Sequence, residues 1–175
     1  MKFRQVVEIA EAVFILILIA FLLYVNVAYH IFGQITLAVV KGSSMLPLLH
    51  DNDVVIIVPS KNIVLGDVVV FKNDRGEYVI HRVIAVVECE DGAKIYITKG
   101  DNNVFVDSVS FGIALRTSRE CSVKDLKVLN GFEMYVQQAI QDGKARGIPS
   151  DRIIGKALTI FGAIIKITGI PSLKS

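Results

Sequence analysis

With 175 residues, 53% of them apolar, and a formal net charge of +2, the chain is long enough for one compact domain with appendages and more apolar than a water-borne domain needs to be. No Lys/Arg cluster with interleaved aromatics occurs and Trp is absent, which argues against nucleic acid as a partner. Cys89 and Cys121 lack metal-ligand spacing; outside the cytoplasm they are as open to pairing as to remaining two free thiols.

In chain order, residues 1–11 carry Lys2 and Arg4 and read as a cytoplasmic N-terminus. From Ala12 to Ala28 the residues are almost all apolar, and this character continues with interruptions to Phe32. About 20 such residues in a helix cross a hydrocarbon core of about 30 Å, so 12–33 is predicted to be a transmembrane helix. A cleaved secretory leader would have a shorter apolar core, of about 7–15 residues, ending in a small-x-small site. The two basic residues ahead of the span predict that everything after Gly33 faces away from the cytoplasm.

Beyond the span, short Val- and Ile-rich runs separated by turn residues predict a β-rich domain over 34–158. Ile35 to Val40 leads into the bend Lys41-Gly42-Ser43-Ser44-Met45-Leu46-Pro47, and Asp51-Asn52-Asp53 is a turn. Val54 to Val58 reads as a strand buried on both faces. Gly66-Asp67 opens a strand over Val68 to Lys72, Asn73 to Gly76 turns it into Glu77 to Val87, and Asp91-Gly92 returns the chain through Lys94 to Thr98. Lys99 to Asn103 is a loop. The stretch from about 108 to 149 reads as an insertion, with a short helix between Leu126 and Ala145 closed by Gly143 or Gly147. Between Ile153 and Ile170 apolar residues fall at a helical spacing, so after a strand the apolar segment 159–175 is expected to be an amphipathic interfacial helix, with a second span as its rival.

One hydroxyl stands in a setting that suggests chemistry. Gly42 permits a backbone turn closed to other residues and Pro47 stiffens the exit, so Ser44 is presented at the bend. A serine needs a positioned base. Of the three histidines, His30 ends the apolar span and His50 adjoins an exposed turn, which leaves His81, in a strand where alternation puts it on the face of Val83 and Ala85. On this evidence alone a histidine in such a strand reads first as a partly buried structural residue, and it is the elimination of the other two that raises the functional reading. An imidazole acting as a base needs an acceptor on its other nitrogen. Asp101, in a Gly-Asp-Asn-Asn turn, reads mainly as a loop-builder accepting backbone N–H bonds; Asp107, flanked by Phe105 and Val106, is the better orienter.

Ser44-Met45-x-Pro47, Gly66-Asp67-Val68-Val69, His81-Arg82-Val83 and Lys99-Gly100-Asp101-Asn102-Asn103-x-x-x-Asp107, in that order behind an apolar helix, resemble type I signal peptidases, with a weaker echo at Ile154-Gly155-Lys156-Ala157. A histidine rather than a lysine at position 81 is similar to the archaeal and endoplasmic-reticulum branch. The resemblance implies a mainly β signal-peptidase-like domain in which Ser44 attacks, His81 is the base, Asp107 holds it and Asp101 is also needed. It implies no cofactor and no metal. The partners it implies are preprotein signal peptides in a lipid bilayer, on the outer face of a cell membrane or of the endoplasmic reticulum membrane, with room for further translocation or signal peptidase subunits. Many relatives carry a serine where this chain has Gly42, so the oxyanion is expected to rely on the Ser44 backbone N–H with Ser43 as helper. Met45, Leu46 and Pro47, with Leu48 and Val54 to Val58, are expected to meet the substrate. Two other readings compete: a non-catalytic anchored subunit or binding module of a translocation complex, and a self-cleaving repressor-type protease with a Ser/Lys pair, for which Lys99 would serve.

Overall fold

The computed structural model describes residues 3–32, 36–109 and 117–168. It divides into a helical unit ending at Thr36 and a β unit beginning at Leu37.

The helical unit is a single helix, α1, Phe3–Phe32, of 30 residues. At 1.5 Å per residue it is about 45 Å long. The segment Arg4–His30 is long and apolar enough to cross a membrane. The helix starts nine residues before the predicted span because Arg4 and Glu8, one turn apart, are paired at 3.0 Å, so polar residues extend the apolar run rather than end it.

The β unit is mainly strand, as the sequence predicts. Its described strands are β1 Leu37–Val39, β2 Val54–Val58, β3 Val68–Lys72, β4 Tyr78–Cys89, β5 Lys94–Lys99, β6 Arg119–Val128, β7 Ile140–Gln141, β8 Lys144–Pro149, β9 Ile153–Ala157, β10 Thr159–Ile160, β11 Ala163–Ile164 and β12 Lys166–Ile167. The turns at Asp51 to Asp53, Asn73 to Gly76 and Asp91-Gly92 fall where the Gly, Asn and Asp residues put them.

Two layers of pairing organise the strands. β1, β2, β9, β3 and β4 form an open antiparallel sheet in that order. The pairings β4–β5, β5–β8, β8–β6 and β6–β4 close a ring. The long strand β4 belongs to both, and a register shift between Val83 and Ala85 marks where it passes from one to the other. On the near side of the shift Val83 packs with Val69 and Phe71; beyond it Ala85 and Val87 pack with Ile95 and Ile97 inside the ring. This corrects the alternation reading: a bulge adds a residue to one strand and flips the face of everything after it, so His81 shares a face with Val83 but not with Ala85.

Three other expectations are overturned. Val54 to Val58 alternates half-buried with buried instead of being covered on both faces, because β1 and β12 flank it on a sheet with one outer face. Within 108–149, β6 and β8 complete the ring, and the expected short helix is present, among the described residues, as α2, Glu133–Val136, followed by a 3-10 turn Gln137–Ala139. Asp142-Gly143, where the helix was expected to close, instead turns β7 into β8. The apolar spacing after Ile153 is that of strands; β12 pairs with β2, so the described part of 159–175 is neither an interfacial helix nor a span. Period-two and period-3.6 patterns coincide over short apolar runs, and tertiary pairing decides between them. Residues 110–116 and 169–175 of these two predicted segments lie outside the described residues, as does the start of the Ile35 to Val40 run.

Cys89, at the end of β4, and Cys121, on β6, are joined in a disulfide across the ring, their Cα atoms 5.8 Å apart. The sequence left this pairing open.

Candidate active site

The bend that carries Ser44 hangs from two short ladders. Val40 N–H donates to the Asp53 carbonyl, Asn52 N–H donates to the Val40 carbonyl, and Gly42 N–H reaches the Asp51 carboxylate at 2.8 Å. Gly42 adopts φ +87°, the left-handed turn the sequence requires of it. Met45 and Leu49 are buried to within 1% and fasten the bend to the core. Ser44 itself is half-buried.

His81 is delivered from β4, where it pairs with Val69 of β3. Its Nε2 lies 3.0 Å from Ser44 Oγ, and its Nδ1 lies 2.8 Å from both carboxylate oxygens of Asp107. A carboxylate only accepts, so it requires the proton on Nδ1 and leaves the Nε2 lone pair facing the serine hydroxyl. Asp107 is fully buried and is held on its other side by the Thr98 hydroxyl, which donates to Oδ2 at 2.7 Å; its backbone N–H donates to the Thr98 carbonyl at 2.9 Å. The site thus consists of a half-exposed hydroxyl, a buried imidazole and a buried carboxylate in one hydrogen-bonded line. This arrangement can transfer a proton from the hydroxyl to the ring as the oxygen attacks an electrophile.

Asp101 stands elsewhere. Both its oxygens, each at 2.7 Å, accept from the Arg82 guanidinium, which also donates to the Gly66 carbonyl at 2.9 Å. The carboxylate holds the Arg82 pKa above its ordinary value, although burial opposes it. The backbone N–H partners expected of Asp101 are therefore replaced by a guanidinium, whose fork fits a carboxylate better than scattered donors do. The loop after β5 also touches the Ser44 bend: Asn102 N–H donates to the Ser44 carbonyl at 2.8 Å and the Asn102 side chain to the Ser43 carbonyl at 3.2 Å. Gly100 is required here, since a Cβ would stand 2.7 Å from the Ser44 carbonyl oxygen.

Lys99 is buried beside this loop, with its Nζ donating to the Gly100 carbonyl at 2.9 Å. Burial pushes its pKa down, and the nearby Asp101 and Asp107 oppose that shift. The ammonium is thus occupied by the loop backbone, not by Ser44.

A cleft of about 350 Å³ opens beside Ser44 and His81, lined by Ala38, Val39, Lys41, Val70 and Tyr78 to Ile80. The expected substrate contacts fall differently. Met45 belongs to the core because its side chain turns inward under the bend; Leu46 is half-buried and Pro47 exposed, and neither lines this cleft. Ser43 is exposed next to Ser44. Sequence reasoning missed Thr98, the Arg82 fork and the cleft walls, all of which depend on strand register. The one local signal was Arg82, adjacent to His81 and therefore on the opposite face of β4.

These features have counterparts in known proteins. A family profile described as Peptidase S24-like matches residues 19–106. The chain belongs to the Peptidase S24-like family. It is similar to the signal peptidase complex catalytic subunit SEC11C of Homo sapiens, of Canis lupus familiaris and of Mus musculus, in each case 39% identical over 70 residues, which is 38% of this chain and 36% of the relative. The match therefore spans little more than a third of the length of these curated relatives. The resemblance to signal peptidases of the endoplasmic-reticulum type, read from the four motifs, is borne out by these matches.

Proposed function

We propose that this chain is a membrane-anchored serine endopeptidase that removes N-terminal signal peptides from preproteins on the non-cytoplasmic face of the membrane. The hydrogen-bonded line Ser44, His81, Asp107 carries this reading. Ser44 Oγ attacks the scissile carbonyl while His81 Nε2 takes its proton; the imidazolium, stabilised by Asp107, passes that proton to the leaving amine. Water activated by the same imidazole then hydrolyses the acyl-enzyme. The Ser44 backbone N–H, with Ser43 beside it, serves the oxyanion. Asp101 acts through Arg82 by holding the loop that bonds to the Ser44 carbonyl.

Ala38, Val39, Val70, Val79 and Ile80 give the cleft short apolar walls beside Lys41 and Tyr78, which suits an apolar leader ending in small residues. β1 pairs with β2 along one edge and ends the sheet order, so an extended peptide has a strand edge to lie against at the cleft. Direct register partners share a sheet face, which puts Leu37, Val39, Val54, Ile56 and Ile167 together as an apolar patch, with Lys156 farther along the same face opposite Val58. That face and the apolar helix α1 support a domain held at a bilayer, and the disulfide supports an oxidising compartment. Confinement to the membrane would raise the effective concentration of a substrate whose leader is itself embedded there. Further subunits of a signal peptidase complex are proposed partners.

The test is cleavage of a signal-bearing preprotein in detergent by the parent, His81→Ala and His81→Lys. Both variants are expected to be inactive, since a lysine ammonium beside Asp107 would hold its proton. Parental turnover by His81→Ala would remove the base assignment.

A further inference from the structure

The loop between β5 and Asp107 is gripped at both ends by one short segment, Phe132 to Ala139. At its start, Lys99 Nζ donates to the carbonyls of Gly100 and Asp101 and lies 4.5 Å from the Tyr135 ring centroid and 5.9 Å from that of Phe132. At its end, the Gln138 side-chain amide bonds twice: Oε1 accepts from Val106 N–H at 3.1 Å, and Nε2 donates to the Val104 carbonyl at 3.3 Å. Beneath these bonds Val106, Val136 and Ala139 share one buried cluster.

The geometry resembles a strand pairing made by a side chain. Successive backbone N–H groups of an extended segment point in opposite directions. Asp107 N–H is taken on one side by the Thr98 carbonyl of β5, while Val106 N–H, on the other side, is taken by the Gln138 amide. Among the described residues, Gln138 supplies the backbone partners on the second flank of the segment carrying the carboxylate.

We propose that Gln138 is a positioning residue: by bracing Val104 and Val106 it fixes Asp107, and through Asp107 it holds the His81 ring in reach of Ser44. This rests on the reading under Proposed function. Gln138 is exposed and its polar atoms do not touch the cleft, so its effect falls on the chemical step and not on substrate binding. The other groups facing Asp107 are His81, Thr98 and Lys99, and Lys99 is restrained separately by the aromatic rings.

The experiment compares the full chain with Gln138→Ala and Gln138→Glu in detergent, reading kcat and KM for a signal-bearing preprotein, the melting temperature, and the downfield proton resonance of the His81 Nδ1–H. A displacement of about 1 Å in a catalytic group costs on the order of a hundredfold. Gln138→Ala is expected to lose about tenfold to a hundredfold in kcat with KM unchanged, and to broaden or lose the downfield proton. Gln138→Glu, which keeps the acceptor for Val106 N–H and loses the donor, is expected to fall between. Should the alanine variant melt early, the isosteric glutamate variant decides. Parental kcat and an unaltered downfield proton in a variant that keeps the parental melting temperature would overturn the proposal. Ser44→Ala, run alongside, separates the two readings. If it is inert while the Gln138 variants are fully active, only the positioning role fails; if it cleaves like the parent, the peptidase reading fails first.

Discussion

The two parts of the β unit that share β4 handle charge in opposite ways. The ring of β4, β5, β8 and β6 wears its ion pairs outside: Glu88 with Lys124, Glu120 with Lys144 and Arg146, and Asp91 with Arg119 are all substantially exposed. The open sheet turns its shortest ion pairs inward and leaves Arg152 with Asp74, at 3.5 Å, nearer the surface. Lys166 bonds the Asp53 carboxylate at 2.9 Å and the Leu48 carbonyl at 2.6 Å, tying β12 to the base of the Ser44 bend. Lys156 of β9 bonds Asp67 at 2.9 Å, and Arg82 grips Asp101. The contrast separates charge that serves solubility from charge that holds a site together. The outer pairs are replaceable, whereas the inner ones set the positions of loops that carry Ser44 and Asp107.

Substitutions can break that contrast in graded steps. The largest effect is expected from Asp107→Asn, which keeps the shape but offers an amide donor to Nδ1 and so favours the wrong tautomer; kcat should fall on the order of a thousandfold to ten thousandfold in the preprotein assay. Next, Cys89→Ser with Cys121→Ser opens the ring's cross-link and should cost about 2–4 kcal/mol in denaturant unfolding while the activity of folded molecules is kept. Asp101→Ala should cost about 1–3 kcal/mol, because it strands a partly buried guanidinium, and should lower kcat as well. An equal cost without any change in kcat would dissolve the link between inner pairs and site.

Asp53 offers a test by pH. Burial raises its pKa, but the His50 backbone N–H and Lys166 outweigh that and hold it below the usual carboxylate value. A lowered folded pKa means that this stabilisation is present above the unfolded value and lost as pH falls through the folded one. The parent should therefore exceed Asp53→Asn by about 1 kcal/mol at neutral pH, and the gap should close in acid. The smallest effect is expected at the ring's surface, where Glu120→Gln should stay within about 0.5 kcal/mol.

The mainly β architecture could be read from local chemistry, whereas the line from Ser44 to His81 to Asp107 was reached by elimination among three histidines and by the resemblance of four motifs. Turn residues mark strand ends and a serine in a Gly-to-Pro bend is presented, but a histidine in an apolar strand and an aspartate beside Val106 gain a role only in company. What could not be read depends on pairing between distant strands. The bulge after Val83, the closure of the ring by β6 and β8 and the capture of β12 by β2 are long-range choices, and the short apolar runs at 153–167 fit helix and strand equally. Asp101 was readable from its turn as a loop-builder but not as the partner of Arg82, since that pairing follows from the register of β4 with β5. The motifs nevertheless make sense together: Asp67 binds Lys156, and Arg82 joins Gly66 to Asp101.

The central claim is that Asp107 and His81 make the Ser44 oxygen a nucleophile. It is tested most directly by treating the full chain in detergent with a fluorophosphonate and locating the adduct by peptide mass. The account predicts one adduct, on Ser44, formed rapidly in the parent and at least a hundredfold more slowly in His81→Ala. An adduct on another residue, or equal labelling of Ser44 with and without the imidazole, would contradict it.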